Sequence, residues 1–183
     1  MRKLAPSLAL ILALTALAPS AEAARHRSRA RPDAAPATPK VAVTDARDPA
    51  AMIAVLAAMG AKSTLAKSPA GKVLVTVETP GGGFGLQFVD CDPAGKACHG
   101  LAFSTAFDRK SPTFAQLNSF NRDQVVCRGV LGADGRPNIA YSTLLSSRMN
   151  ADDLKDHIGV WQGCLATFVE FTDDPAAFVA KAN

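Results

Sequence analysis

Asp90, Cys91, Cys98 and His99 bring carboxylate, thiol and imidazole groups close together within ten residues of sequence. Zinc accepts all three donor types, and a thiol beside a histidine is the starting point of thiol catalysis. A metal- or thiol-dependent enzyme using the Asp90–His99 loop is therefore one reading of the chain. The spacing favours another. Redox dithiols use Cys-x-x-Cys, where closeness and a helix N-terminus lower the thiol pKa, whereas six residues lie between Cys91 and Cys98 and match no zinc knuckle. The intervening Asp92-Pro93-Ala94-Gly95-Lys96 is rich in turn formers and flanked by alternating apolar runs. Cys91 and Cys98 are thus expected to face one another at the mouth of a hairpin as a structural disulfide. Cys127 and Cys164 remain open between a second bridge, tying a strand to the last helix, and two buried thiols acting as small hydrophobes.

Other chemistry finds less support. A nucleophile needs a base and a group that orients the base, and only His26, His99 and His157 are available. His26 falls in a basic tail, and His157 is read as lying on a solvated helix face beside Asp153 and Asp156. Pro80-Gly81-Gly82-Gly83-Phe84-Gly85 has the composition of a phosphate cradle, but a strand rather than a helix follows it, so it reads as a turn. Asp152-Asp153 and Asp173-Asp174 sit at helix ends, where carboxylates cap. Trp161, the sole tryptophan, is expected in the core, with an exposed anchor for a partner as the other option. No catalytic residue, cofactor or metal is assigned.

The elements that must position these groups are legible from periodicity. Asp48-Pro49, then Met52, Val55, Leu56 and Met59 before Gly60, predicts a helix over about 49–59. Alternating runs over 62–67 and 72–79 surround Ser68-Pro69-Ala70-Gly71, and two more, Phe84–Val89 and Leu101–Phe107, flank the cysteine loop. These predict a four-strand antiparallel meander. Ser111-Pro112 opens a second helix carrying Phe114, Leu117 and Phe120, with Asn118 and Asn121 placed to bond the following strand. A hairpin over 124–131 and 138–145 turns at Asp134-Gly135, and Asn150, with Asp153 three residues on, opens a long amphipathic helix ending at Asp174-Pro175. The order predicts an α+β fold, an antiparallel sheet of a meander plus a hairpin covered on one face by helices.

Residues 1–23 carry Arg2 and Lys3, an apolar run from Leu4 to Leu17, and small residues at Ala21 and Ala23. That is the layout of a secretory signal peptide cut near Ala23, too short to span a bilayer. Residues 24–47 read as a basic, Pro/Ala-rich disordered linker, and 48–183 as the domain. Charge is uneven. Arg25, Arg27, Arg29, Arg31 and Lys40 face only Asp33 in the tail, whereas thirteen basic and fourteen acidic residues follow from Val41 onward. The arginines could draw in an anionic partner, but the domain itself is not basic and nucleic acid is not expected. An even cysteine count suits an oxidising, periplasmic or secreted setting.

Three stretches together resemble the YbjN family of bacterial proteins. They are Leu117-Asn118-Ser119-Phe120-Asn121, the Asp134-Gly135 turn leading into Tyr141-Ser142-Thr143-Leu144-Leu145, and the Asn150–Phe171 helix with Trp161 at its centre. The resemblance covers roughly 48–172 and implies a fold similar to that of type III secretion chaperones. Family members are described as sensory transduction regulators, which implies no reaction. The leader, the tail and the Cys91–Cys98 loop are additions to the commoner cytoplasmic pattern. The expected function is that of an exported, non-catalytic binding or regulatory module for a protein or cell-envelope partner, with a homodimer through a sheet edge as a further option.

Overall fold

The computed structural model describes residues 42–43, 45–67 and 72–181. The leader, Arg25, Arg27, Arg29 and Arg31, and the turn at 68–71 lie outside them. Helix α1, Pro49–Ala58, starts where Asp48 accepts the Ala50 N–H at 3.0 Å, with proline at its first position. Strands β1 (Lys62–Lys67), β2 (Val73–Thr79), β3 (Gly82–Val89) and β4 (Gly100–Ala106) follow as an antiparallel meander. Helix α2 (Phe114–Asp123), β5 (Cys127–Leu131), β6 (Pro137–Leu144), α3 (Ala151–Asp173) and α4 (Pro175–Lys181) complete the elements of the described residues.

The six strands form one antiparallel sheet in the order β1-β2-β3-β4-β6-β5. The meander and the hairpin are therefore a single sheet. Because β4 and β5 both run antiparallel to β6, they point the same way, and α2 carries the chain across β6 to the far edge. Alternate residues Val73, Val75 and Val77 are buried, as are Leu86, Phe88, Leu101, Phe103, Ile139 and Tyr141. The intervening Thr76, Glu78 and Ser104 are exposed, so the helices cover one face. A one-residue slip in any pair would turn these aromatic and branched side chains to water.

Two boundaries differ most from the sequence reading. Helix α2 starts at Phe114, not at Ser111-Pro112, because Thr113 and Gln116 close a capping box: the Thr113 hydroxyl accepts the Gln116 N–H at 3.2 Å and Gln116 Oε1 accepts the Thr113 N–H at 2.9 Å. Ser111 instead donates its hydroxyl to the Gly135 carbonyl in the β5–β6 turn. Strand β5 starts at Cys127 rather than Gln124, since Arg128 Nη1 donates to the carbonyls of Gln124 and Cys127, both at 2.7 Å, and curls the chain there. Val125, apolar and periodic with the strand, is left 87% exposed.

Helix α3 is capped as its sequence implies, with Asn150 and Asp153 bonding each other's backbone N–H. At 23 residues, it spans about 35 Å at ~1.5 Å per residue. Gly159 and Gly163 lie on its exposed side, where a Cβ would meet nothing within 4 Å. Glycine in mid-helix adds backbone freedom to the unfolded chain with no packing return. Gly159→Ala and Gly163→Ala should therefore each raise unfolding free energy by about 0.5–1 kcal/mol in urea titrations.

The β5 edge is occupied by a side chain. Asn121 Nδ2 donates to the Gly129 carbonyl at 2.9 Å, and the Gly129 N–H donates to Asn121 Oδ1 at 2.7 Å. The amide thus takes both ladder groups of the middle edge residue, as a neighbouring strand would. Asn121→Ala leaves two half-buried backbone groups unpaired. It is expected to cost about 1–3 kcal/mol and to raise the apparent mass in light scattering at high concentration.

Candidate functional site

Strands β3 and β4 converge at Val89↔Gly100 and hold the ends of the cysteine loop together. The Cys91 and Cys98 sulfurs lie at disulfide distance, 2.12 Å. Inside the loop the Asp92 N–H donates to the Lys96 carbonyl at 2.7 Å, and Asp92 Oδ1 accepts the Lys96 N–H at 2.8 Å. The loop also docks on the segment before α1: the Cys98 N–H donates to the Arg47 carbonyl at 3.0 Å, and Lys96 Nζ reaches Asp48 Oδ2 at 3.1 Å. Arg47 is itself bound to Asp45, whose carboxyl is held below the usual carboxylate range by the side-chain hydrogen bonds from Arg47 and then by its backbone N–H. Asp90 and Ala97 take φ of 53° and 49°, a left-handed conformation more accessible to aspartate than to alanine.

With both sulfurs in the bond, the donor set Asp90, Cys91, Cys98 and His99 loses its two thiolates. What remains is an exposed pair, Asp90 Oδ2 and His99 Nδ1 at 2.8 Å. Among the described residues, no three His, Cys, Asp or Glu side chains gather as metal ligands. Cys127 and Cys164 also lie at disulfide distance, with Cα atoms 5.7 Å apart, which resolves the alternatives left open by the sequence and ties β5 to α3.

Trp161 is 0% exposed and packs against Phe84 and Phe103, with ring centroids 5.7 Å away in each case. Its reading as an exposed partner-binding anchor is corrected, because the i, i+3/i+4 stripe of α3 directs it into the sheet. His157 is likewise not on a solvated face: it is half-buried, and its Nδ1 lies 2.6 Å from the Tyr141 hydroxyl. Asp153 serves in the α3 cap, Asp173 binds Arg109 at 2.6 Å, and Asp174 accepts the Ala177 N–H at 3.0 Å to start α4. The Pro80–Gly83 stretch joins two strands, as a turn does.

That turn has a second role which the sequence did not disclose. It forms one lip of a cleft of about 640 Å³ between the C-terminal end of α1, the end of β4 and the middle of α3. Leu56 of α1 and Met59, its C-cap, line it on one side, Phe84 lines it from β3, and Ile158, Trp161 and Leu165 from α3. Polar groups stand at its mouth. The Thr79 hydroxyl donates to the Gly82 carbonyl at 2.7 Å and the Thr105 hydroxyl to the Gly83 carbonyl at 3.0 Å, so both are engaged in holding the turn. Asp108 is the single charged residue of the lining. Within the wall, the Trp161 indole Nε1 is buried without a hydrogen-bond partner. Local periodicity gave Trp161 and the turn separately; their meeting depends on the register of β2–β3 and the tilt of α3.

No family model, curated protein or solved structure matches the chain. Its own geometry defines an α+β domain with two cysteine pairs at disulfide distance, as in proteins of oxidising compartments, and an apolar cleft walled by α1 and α3. No helix among the described residues is long and apolar enough to cross a membrane.

Proposed function

We propose that this chain is an exported, non-catalytic binding module of YbjN type, acting in the periplasm or outside the cell on a protein or cell-envelope component. The observation that carries this reading is the apolar cleft beside α3, a concave surface of the size and composition that binding sites favour. The leader supplies export and the two cysteine pairs suit the compartment it leads to. The arginines of residues 24–40 would add a long-range, salt-screened attraction without determining the fit.

The test is affinity capture from a cell-envelope extract, comparing the mature chain, a form lacking residues 24–40 and the variant Met59→Arg. Met59 lines the cleft yet is 46% exposed, so a charge there blocks the mouth without entering the core. The same envelope component should be recovered with and without the tail and lost with Met59→Arg. Recovery that follows the tail and ignores Met59 would sink the proposal.

A further inference from the structure

We propose that the open face of the sheet, the side that no helix covers, is the contact through which two copies of this chain stack back to back. A sheet face left in water ordinarily carries polar and charged side chains. Here charge is nearly absent from it. From Val41 onward the chain has thirteen basic and fourteen acidic residues, yet the outward positions of the four inner strands, β2, β3, β4 and β6, hold one charge, Glu78 near the end of β2. Lys62 stands directly opposite it on β1. Arg128, on the β5 border, is turned onto the carbonyls of Gln124 and Cys127. Apolar side chains are exposed instead: Val89 and Leu144 lie on either side of Gly100 along one row of the face, 40% and 78% exposed. Loss of charge together with exposed apolar groups marks a surface that another protein covers.

The area and the strand order both fit a second copy. Six strands of five to eight residues each, about 4.8 Å apart and rising ~3.4 Å per residue, make a face of about 650 Å². Stacked on its equal it buries ~1,300 Å², inside the ~1,200–2,000 Å² of specific interfaces and below the range of most obligate dimers. The association is therefore reversible. Strands β3 and β4 are the two middle strands, so a two-fold axis running along them lays β3 of one copy on β4 of the other. Near the axis the register then sets Gln87 over Ala102 and Ser104 over Gly85, a longer side chain over a shorter one in each case, and symmetry repeats both pairs. Neither pair joins like charges. The contact uses the face and neither border of the sheet. It leaves α1, α3 and the cleft between them on the outer sides, so the couple presents two clefts to its surroundings.

Sedimentation velocity and light scattering of the oxidised mature chain test the proposal. The mass should rise with concentration to twice that of one chain. Ala102→Lys sets a cation beside the axis from each copy, at an outward position in the middle of the face, and should raise the dimer dissociation constant by about 100-fold with circular dichroism unchanged. Val160→Lys, on the exposed side of α3, should leave that constant as it is. If Ala102→Lys fails to fold, Leu144→Lys, at a position already mostly in water, should weaken the dimer about 10-fold. Hydrogen exchange of the β1 amides should not depend on concentration, because the border stays outside the contact. A dimer that survives both lysine variants, or β1 amides that become protected as it forms, would overturn the proposal, the latter in favour of pairing through the border. A mass of one chain at every concentration would overturn it as well, and loss of envelope capture by Ala102→Lys in that case would assign the face to the envelope component instead of a copy.

Discussion

Replacing Cys127 and Cys164 together by alanine is expected to lower the unfolding free energy by about 4 kcal/mol, the loop-entropy value for a closure of this length. The bond spans 37 residues and holds the edge strand β5 against α3, two elements whose other contacts with each other are side-chain packing, as between Gly129 and Phe168. Cys127 and Cys164 are both buried, so the replacement also leaves space where the sulfurs were, which adds to the loss. The Cys91–Cys98 bond closes only seven residues; its removal should cost about 2.5 kcal/mol on the same scale. Exposure separates the two as well. Cys91 is only half-buried, so a mild thiol reductant should open the hairpin bridge while the protein is folded, and the Cys127–Cys164 bond only on unfolding. Guanidinium titrations and timed thiol labelling check both statements. A Cys127→Ala/Cys164→Ala loss under about 1 kcal/mol would show that the bridge contributes little beyond packing.

Phe168→Ala is expected to cost about 3–5 kcal/mol. The ring is fully buried and lies 5.4 Å from Phe107, 5.2 Å from Phe120 and 5.6 Å from Phe171, centroid to centroid, so it joins α2, α3 and the end of β4 in one aromatic cluster. Phe178 of α4 extends the cluster through Phe120 and Phe171. The same ring explains Gly129. A Cβ there would stand 2.9 Å from Phe168 Cε2 and 2.8 Å from Leu117 Cδ1, closer than packed atoms come. Gly129→Ala alone should therefore destabilise by about 1–3 kcal/mol through overpacking. In the double variant Phe168→Ala makes room for the new methyl group, so the two losses should add to less than their sum by about 1 kcal/mol in a denaturant cycle. Strict additivity would mean that Leu117, not Phe168, sets the limit at Gly129.

Much of this arrangement could be read from local residues. Asp48-Pro49 announces α1, and Asn150 with Asp153 announces α3, because caps are contained within four residues. The Asp92–Lys96 turn likewise told that Cys91 and Cys98 would meet, and Asn121 was placed to bond the next strand. Longer-range features were not legible. The pairing of β6 with β4 depends on α2 crossing the sheet, and the contact of His157 with Tyr141 joins residues sixteen apart. The start of α2 was missed because Pro112 resembles a first helical residue, while Thr113 holds the stronger cap. The cleft was invisible for the same reason as the sheet order: its walls come from segments as distant as Leu56 and Trp161, and neither one's neighbours in sequence mention the other.

The Asn121 amide seated on Gly129, together with Arg128 on the Cys127 carbonyl, has a bearing on how copies of this chain can meet. A filament grows only when each molecule offers two different sticky borders, whereas one border pairs with its own image and then stops. With the β5 side furnished from within, strand-to-strand assembly has just the β1 side to use. Such growth would end in a closed couple rather than a fibre.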